Sequence, residues 1–175
     1  MLETRVKAEK FKKVSSLIFR DWSVINNNDD AAANGRIWID WNPKIWDIKS
    51  CASCAQAIHC KVVHLESNIC FNLIDVYAFN TQEQRKRLWK FFNDTCNKTY
   101  ENLLIGGGFI NVSLVYDRLN GNPVNQLEIQ DFADCLLMNT LSEVKTIGDY
   151  YTWCNNQARN YKIYSKIDRF LSNTS

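Results

Sequence analysis

Little net charge, few histidines and no long apolar run mark this chain of 175 residues. The 21 Lys and Arg nearly balance the 19 Asp and Glu, and a net charge of +2 is too small to imply nucleic-acid binding by itself. Basic residues gather only locally, at Lys7, Lys10, Lys12 and Lys13 and again at Arg85, Lys86 and Arg87, and such clusters read as solvated helix faces. No apolar stretch approaches the roughly 20 residues that cross a bilayer, and no basic head, apolar core and small-residue cleavage site combine near Met1. A soluble, intracellular protein with no membrane partner, nuclear or cytoplasmic, is therefore expected. Seven cysteines, an odd number without a secretory signal, suit thiols in a reducing compartment. Repeats, low-complexity tracts and linkers are lacking, so residues 1–175 read as one domain.

What is present is a packed-globule composition, 46% hydrophobic and 13% aromatic. Val6, Phe11, Val14, Leu17 and Ile18 recur at helical spacing and predict an amphipathic helix over 4–19 with its lysines outward. Short aromatic and β-branched runs at 22–26 and 36–41 flank Asn34-Gly35, a hairpin signal. Residues 55–64 and 68–78 predict two longer strands joined by a turn. Thr81 and Gln84 form a capping-box pattern before a helix over 82–98 that turns Leu88, Trp89, Phe91, Phe92 and Cys96 to the core. A strand over 102–107 follows, then a helix over about 126–138 carrying Ile129, Phe132, Ala133, Leu136 and Leu137 inward, then strands at 150–155 and 162–171. Strand pairs interleaved with helices predict an α+β sandwich, antiparallel sheets packed together with helices outside.

Two familiar chemistries are weak here. Cys51, Cys54, His59 and His64 approximate the spacing of a small zinc module over 51–64. Along one strand, however, positions 59 and 64 differ by an odd number and face opposite ways, and buried thiols account for the cysteines more simply. Neither histidine is paired with a cysteine in a way that suggests a nucleophile. Gly106-Gly107-Gly108 lacks the Lys-Ser/Thr and following helix of a phosphate loop.

More informative is the run Leu103-Leu104-Ile105-Gly106-Gly107-Gly108-Phe109-Ile110-Asn111-Val112. It resembles the Gly-Gly-Asp-Phe-Asn-Val signature of the endonuclease/exonuclease/phosphatase superfamily. Met1 to Lys7, Asp75-Val76-Tyr77-Ala78-Phe79-Asn80, Tyr151-Thr152-Trp153 and Lys166-Ile167-Asp168-Arg169 occur in the order found in apurinic-endonuclease-like domains. With Gly35-Arg36-Ile37-Trp38 and Ile58-His59-Cys60, the chain is similar over nearly its whole length to the endonuclease domain of plant LINE-type (non-LTR) retrotransposons. The resemblance implies a DNase I-like sandwich of two mixed or antiparallel sheets and an ancestral Mg²⁺-dependent phosphodiesterase that nicks DNA. It further implies Glu3 as the metal ligand, Tyr77, Asn111 and Asp168 as catalytic residues, and Asn80 and Thr152 as substrate contacts.

The departures imply impairment. Gly108 stands where the family has its catalytic Asp, and Ile110 is an extra residue before the Asn. By the same resemblance, the opening strand with its Asn is expected upstream of Met1 and the Ser-Asp-His segment beyond Ser175. In this superfamily a metal-activated water attacks the phosphodiester, and the missing acid and His align that attack. The expectation is a catalytically impaired nuclease with weak or lost Mg²⁺, or a noncatalytic nucleic-acid-binding remnant.

Overall fold

The computed structural model describes residues 2–28, 35–97, 102–158 and 161–173, without the side chains of Glu3 and Arg5. In chain order the elements are β1 (Leu2–Val6), α1 (Ala8–Ile18), β2 (Ser23–Asn26), β3 (Gly35–Trp41), β4 (Trp46–Cys54), β5 (Ala57–His64), β6 (Cys70–Tyr77), α2 (Gln82–Cys96), β7 (Leu103–Gly108), β8 (Arg118–Leu119), α3 (Gln126–Met138), β9 (Ser142–Glu143), β10 (Trp153–Cys154), β11 (Tyr164–Ser165) and β12 (Asp168–Ser172). A six-stranded sheet runs β4-β5-β6-β7-β12-β9, a three-stranded sheet β1-β3-β2, and a short ribbon β10-β11-β8.

Within the large sheet β6 and β7 are parallel. A parallel pair needs a long crossover, and α2 supplies it. Thr81 starts that helix as expected: its hydroxyl oxygen accepts the Gln84 N–H at 3.4 Å. Leu88, Trp89 and Phe92 of α2 and Phe132 and Cys135 of α3 pack on Ile74, Val76, Ala78, Leu103 and Ile105. The opposite face of the large sheet, through Ile58, Cys60 and Val62, meets Ile37 and Ile39 of β3. Outside β3, Phe11 and Phe19 set their rings against Trp38 at 5.0 and 6.4 Å. The layers are thus helix, sheet, sheet, helix, the α+β sandwich anticipated. No helix among the described residues is long and apolar enough to cross a membrane.

Several boundaries differ from expectation. Residues 2–6 are a strand paired with β3, not the start of a helix: alternation in Thr4-Arg5-Val6 beside an open edge wins over a helical spacing that spanned two elements. Leu17 and Ile18 are 66% and 55% exposed rather than packed. In α3 it is Cys135 that turns inward, while Leu137 is 79% exposed. The strand β4 was not anticipated: only Trp46 and Ile48 alternate inward onto the core, and its exposed second half takes its order from backbone pairing with β5. The Asn34 half of the hairpin signal lies outside the described residues, although β2 and β3 do pair antiparallel.

Candidate active site

Tyr77, Gly108 and Asp168 are neighbours across three central strands. Tyr77 is in register with Gly108 on the parallel side, and Asp168 with Gly108 on the antiparallel side. Directly paired residues project to the same sheet face, so Tyr77 and Asp168 flank the Gly108 backbone. They line an open cleft of about 750 Å³ with Asn80, Ile110, Arg118, Asn122, Trp153, Ile163, Ser165 and Ile167. The cleft lies at the carboxyl ends of the parallel pair, where sheet-based sites commonly form.

The three glycines differ in what they permit. Gly107 has φ +128°, and a Cβ there would lie 2.1 Å from the Val76 carbonyl oxygen. At Gly106 a Cβ would press on the Phe170 ring at 2.5 Å. At Gly108 the nearest atoms are an Asp168 carboxylate oxygen at 3.2 Å, Tyr77 Cδ2 at 3.5 Å and Ile110 Cδ1 at 3.8 Å. A side chain at position 108 therefore points into the cleft, between Tyr77 and Asp168, and the residue's backbone is not in the left-handed region.

Past Gly108 the chain accommodates its extra residue through Ile110, at φ 51°. Phe109 is buried, and Ile110 turns into the cleft. Asn111 turns inward: it is buried, and its Oδ1 accepts from Arg85 Nη2 at 3.3 Å. It is not among the cleft-lining residues. Arg85 also donates through Nη1 to the carbonyls of Phe79 (3.1 Å), Asn80 (2.8 Å) and Ile110 (3.2 Å). One guanidinium so ties the loop after β6 to the loop after β7. In the sequence Arg85 belongs to a basic cluster read as a solvated face. Lys86 and Arg87 are exposed as that reading has it, but Arg85 is 6% exposed, and burial lowers its pKa. Gln56, also missed, accepts the Phe79 N–H at 2.7 Å and donates to the Gln84 carbonyl at 3.0 Å. Only its neighbours in space reveal these roles.

Of the other anticipated residues, Asn80 lines the cleft. Thr152 is exposed, and its hydroxyl oxygen accepts the N–H groups of Ile167 and Asp168 at 3.1 and 3.0 Å. It fixes the backbone from which Asp168 projects. Replacing it (Thr152→Val) is expected to cost about 1 kcal/mol, with faster amide exchange at Ile167 and Asp168. Unchanged exchange there contradicts the assignment. Glu3 lies on β1, and its side chain is outside the described residues.

The residues proposed for zinc have other partners: His59 Nε2 meets Asn72 Oδ1 at 2.9 Å and His64 Nδ1 meets Ser67 Oγ at 2.8 Å. All seven cysteines are free thiols. Among the described residues no three His, Cys, Asp or Glu side chains gather as a metal site. For Mg²⁺, which takes oxygen ligands in octahedral geometry, the described cleft lining offers one carboxylate, Asp168. The described donor set does not by itself fit that ion.

Asp75, two residues before Tyr77 on β6, has its pKa raised to about 6 by burial. The folded protein then holds this proton more tightly than the unfolded chain, whose value is near 3.8. Stability is full below pH ~4 and declines as pH rises through ~6. Asp75→Asn should remove that decline and stabilise the protein at pH 7 by about 1–3 kcal/mol. Denaturation midpoints at pH 4 and 7 test this, and the same pH dependence in both proteins contradicts it.

No family model matches the chain, and no curated protein matches it. Solved structures do. The endonuclease domain of TRAS1, a telomere-specific non-LTR retrotransposon, superposes with a TM-score of 0.68 at 12% identity, covering 96% of this chain and 79% of that one. The AP endonuclease LMAP from Leishmania major gives a TM-score of 0.74 at 10% identity over 98% of this chain and 68% of its own. D. rerio TDP2 complexed with a single-strand DNA product gives 0.56 at 11% identity over 98% and 69%. The chain has the DNase I-like fold of the endonuclease/exonuclease/phosphatase proteins.

Proposed function

We propose that residues 1–175 form one nucleic-acid-binding domain of the retrotransposon endonuclease type, whose cleft takes a DNA phosphodiester and whose Mg²⁺-dependent hydrolysis is impaired. The observation that carries this reading is the side-chain-free Gly108 between Tyr77 and Asp168, at the mouth of the central strands. Tyr77 contributes a phenolic donor for a phosphate oxygen, Asn80 an amide at the rim, and Asp168 a carboxylate on the far wall. What position 108 fails to supply is an acid to align the attacking water, and alignment and charge stabilisation together are worth several powers of ten in rate. Asn111, engaged by Arg85, acts as a brace for the floor and not as a substrate contact.

DNA as the ligand is supported by the fold and by two neighbours, the TRAS1 endonuclease domain and the TDP2 complex with a single-strand DNA product. Impairment favours the binding role over turnover. Supercoiled-plasmid nicking in Mg²⁺, with Asp168→Ala as the control, tests it. Wild type and variant are expected to nick equally, at background. Robust nicking by wild type that Asp168→Ala abolishes overturns the impairment.

A further inference from the structure

Four guanidinium groups lie at or near the cleft, and three are already engaged by oxygen. Arg85 holds three carbonyls and Asn111. Arg118 pairs with Glu128 at 3.0 Å. Arg169 is buried on Asp117 and Glu143. Arg36 differs: its guanidinium carbon lies 5.4 Å from the centroid of Tyr77 and 5.3 Å from that of Phe79, and among the described residues no carboxylate pairs with it. Tyr77 is itself a wall of the cleft.

The position is held firmly from behind. Asn27, 1% exposed, accepts the N–H groups of Arg36 and Ile37 on one Oδ1, both at 3.1 Å, and donates to the Cys54 carbonyl at 3.2 Å. The side chain is half-buried on two rings. Ring faces stabilise a guanidinium modestly, without neutralising it or occupying its in-plane N–H donors. The result is a cation held in place and, among the described residues, without a carboxylate partner, whose donor fork suits the paired oxygens of a phosphate.

We propose that Arg36 is a phosphate-binding residue of the cleft, stacked on Tyr77 and Phe79 and donating to a backbone phosphate of a bound DNA strand. This rests on the reading of the cleft as a DNA site. It adds a positioning contact that contributes charge without reacting, and it gives Tyr77 a second task, as the platform that aims the guanidinium.

The test is anisotropy of a labelled DNA duplex titrated with the full chain in EDTA, across a series of salt concentrations. Arg36→Ala is expected to weaken binding about tenfold and to lower the slope of log affinity against log salt by about one. Arg36→Lys should keep the slope while losing about threefold in affinity, since an ammonium retains the charge but not the fork. Lys49→Ala, on the exposed edge strand and paired with Asp47, should match wild type. Wild-type binding with an unchanged slope in both Arg36 variants overturns the role of Arg36 and leaves the DNA site standing. No binding by wild type overturns the DNA site and this contact with it. Circular dichroism of each variant separates misfolding from lost contact, and Arg36→Lys keeps the test decisive if Arg36→Ala fails to fold.

Discussion

Arg169→Ala is expected to cost about 3–5 kcal/mol of folding stability, a large share of the roughly 5–15 kcal/mol typical of a native domain. Arg169 is 2% exposed and Asp117 is fully buried. They meet at 2.5 Å, while the other arm of the guanidinium reaches Glu143 at 2.7 Å. The Asp117 carboxylate also accepts the Tyr150 hydroxyl at 2.5 Å and the N–H groups of Ser113 and Leu114 at 2.7 and 2.8 Å. Lys166 completes the cluster on Glu143. Removing the arginine leaves a carboxylate in the interior without its cation, which costs far more than the intact pair contributes. Urea denaturation measures the loss, and a cost under 1 kcal/mol contradicts this role for the cluster.

The same cluster sets an acid limit. Burial alone raises the Asp117 pKa, but the Tyr150 hydroxyl, Arg169 and the two amides outweigh it and hold it below the usual 3.8. A folded value below the unfolded one gives stability that is present above pH ~4 and lost as pH falls through the folded value.

Gly107→Ala is expected to be comparably severe, on the order of 4 kcal/mol or more. Its Cβ would sit 2.1 Å from a backbone oxygen of the paired strand, and φ +128° is a conformation that L side chains rarely adopt. The central β6–β7 pairing must open for it to fit. Gly108→Ala is expected to cost only about 1 kcal/mol, because its closest neighbour is a side-chain carboxylate that can yield a few tenths of an ångström. A matched pair of thermal melts checks the contrast. If both variants are equally destabilised, Gly108 is a requirement of the fold, and its missing side chain ceases to bear on function.

The helices α2 and α3 were legible because caps and apolar periodicity are local signals, carried by Thr81 with Gln84 and by Ile129 with Phe132. The site was legible only in part. Tyr77, Gly108 and Asp168 fall in line through strand pairings that span 31 and 60 positions of sequence, and no local pattern specifies that register. The resemblance to a nuclease signature supplied Tyr77 and Asp168. It also offered Asn111, whose orientation depends on how the chain absorbs Ile110, and the left-handed turn there presents Ile110 to the cleft and Asn111 to Arg85. Arg85 and Arg36 look like ordinary surface charges until their partners across the fold are known. The edge strand β4 alternates only over Trp46 and Ile48, which pack on the core, and from Lys49 onward its exposed residues carry no apolar pattern, so its pairing with β5 shows only in space.

Amide chemical-shift mapping with a short DNA duplex tests most directly whether the Tyr77–Gly108–Asp168 cleft is where a phosphodiester binds. The predicted result is a set of shifts centred on Asn80, Gly108, Ile110 and Asp168, fading with salt. Shifts confined to the exposed lysines of α1, with the cleft amides unmoved at saturating DNA, contradict it.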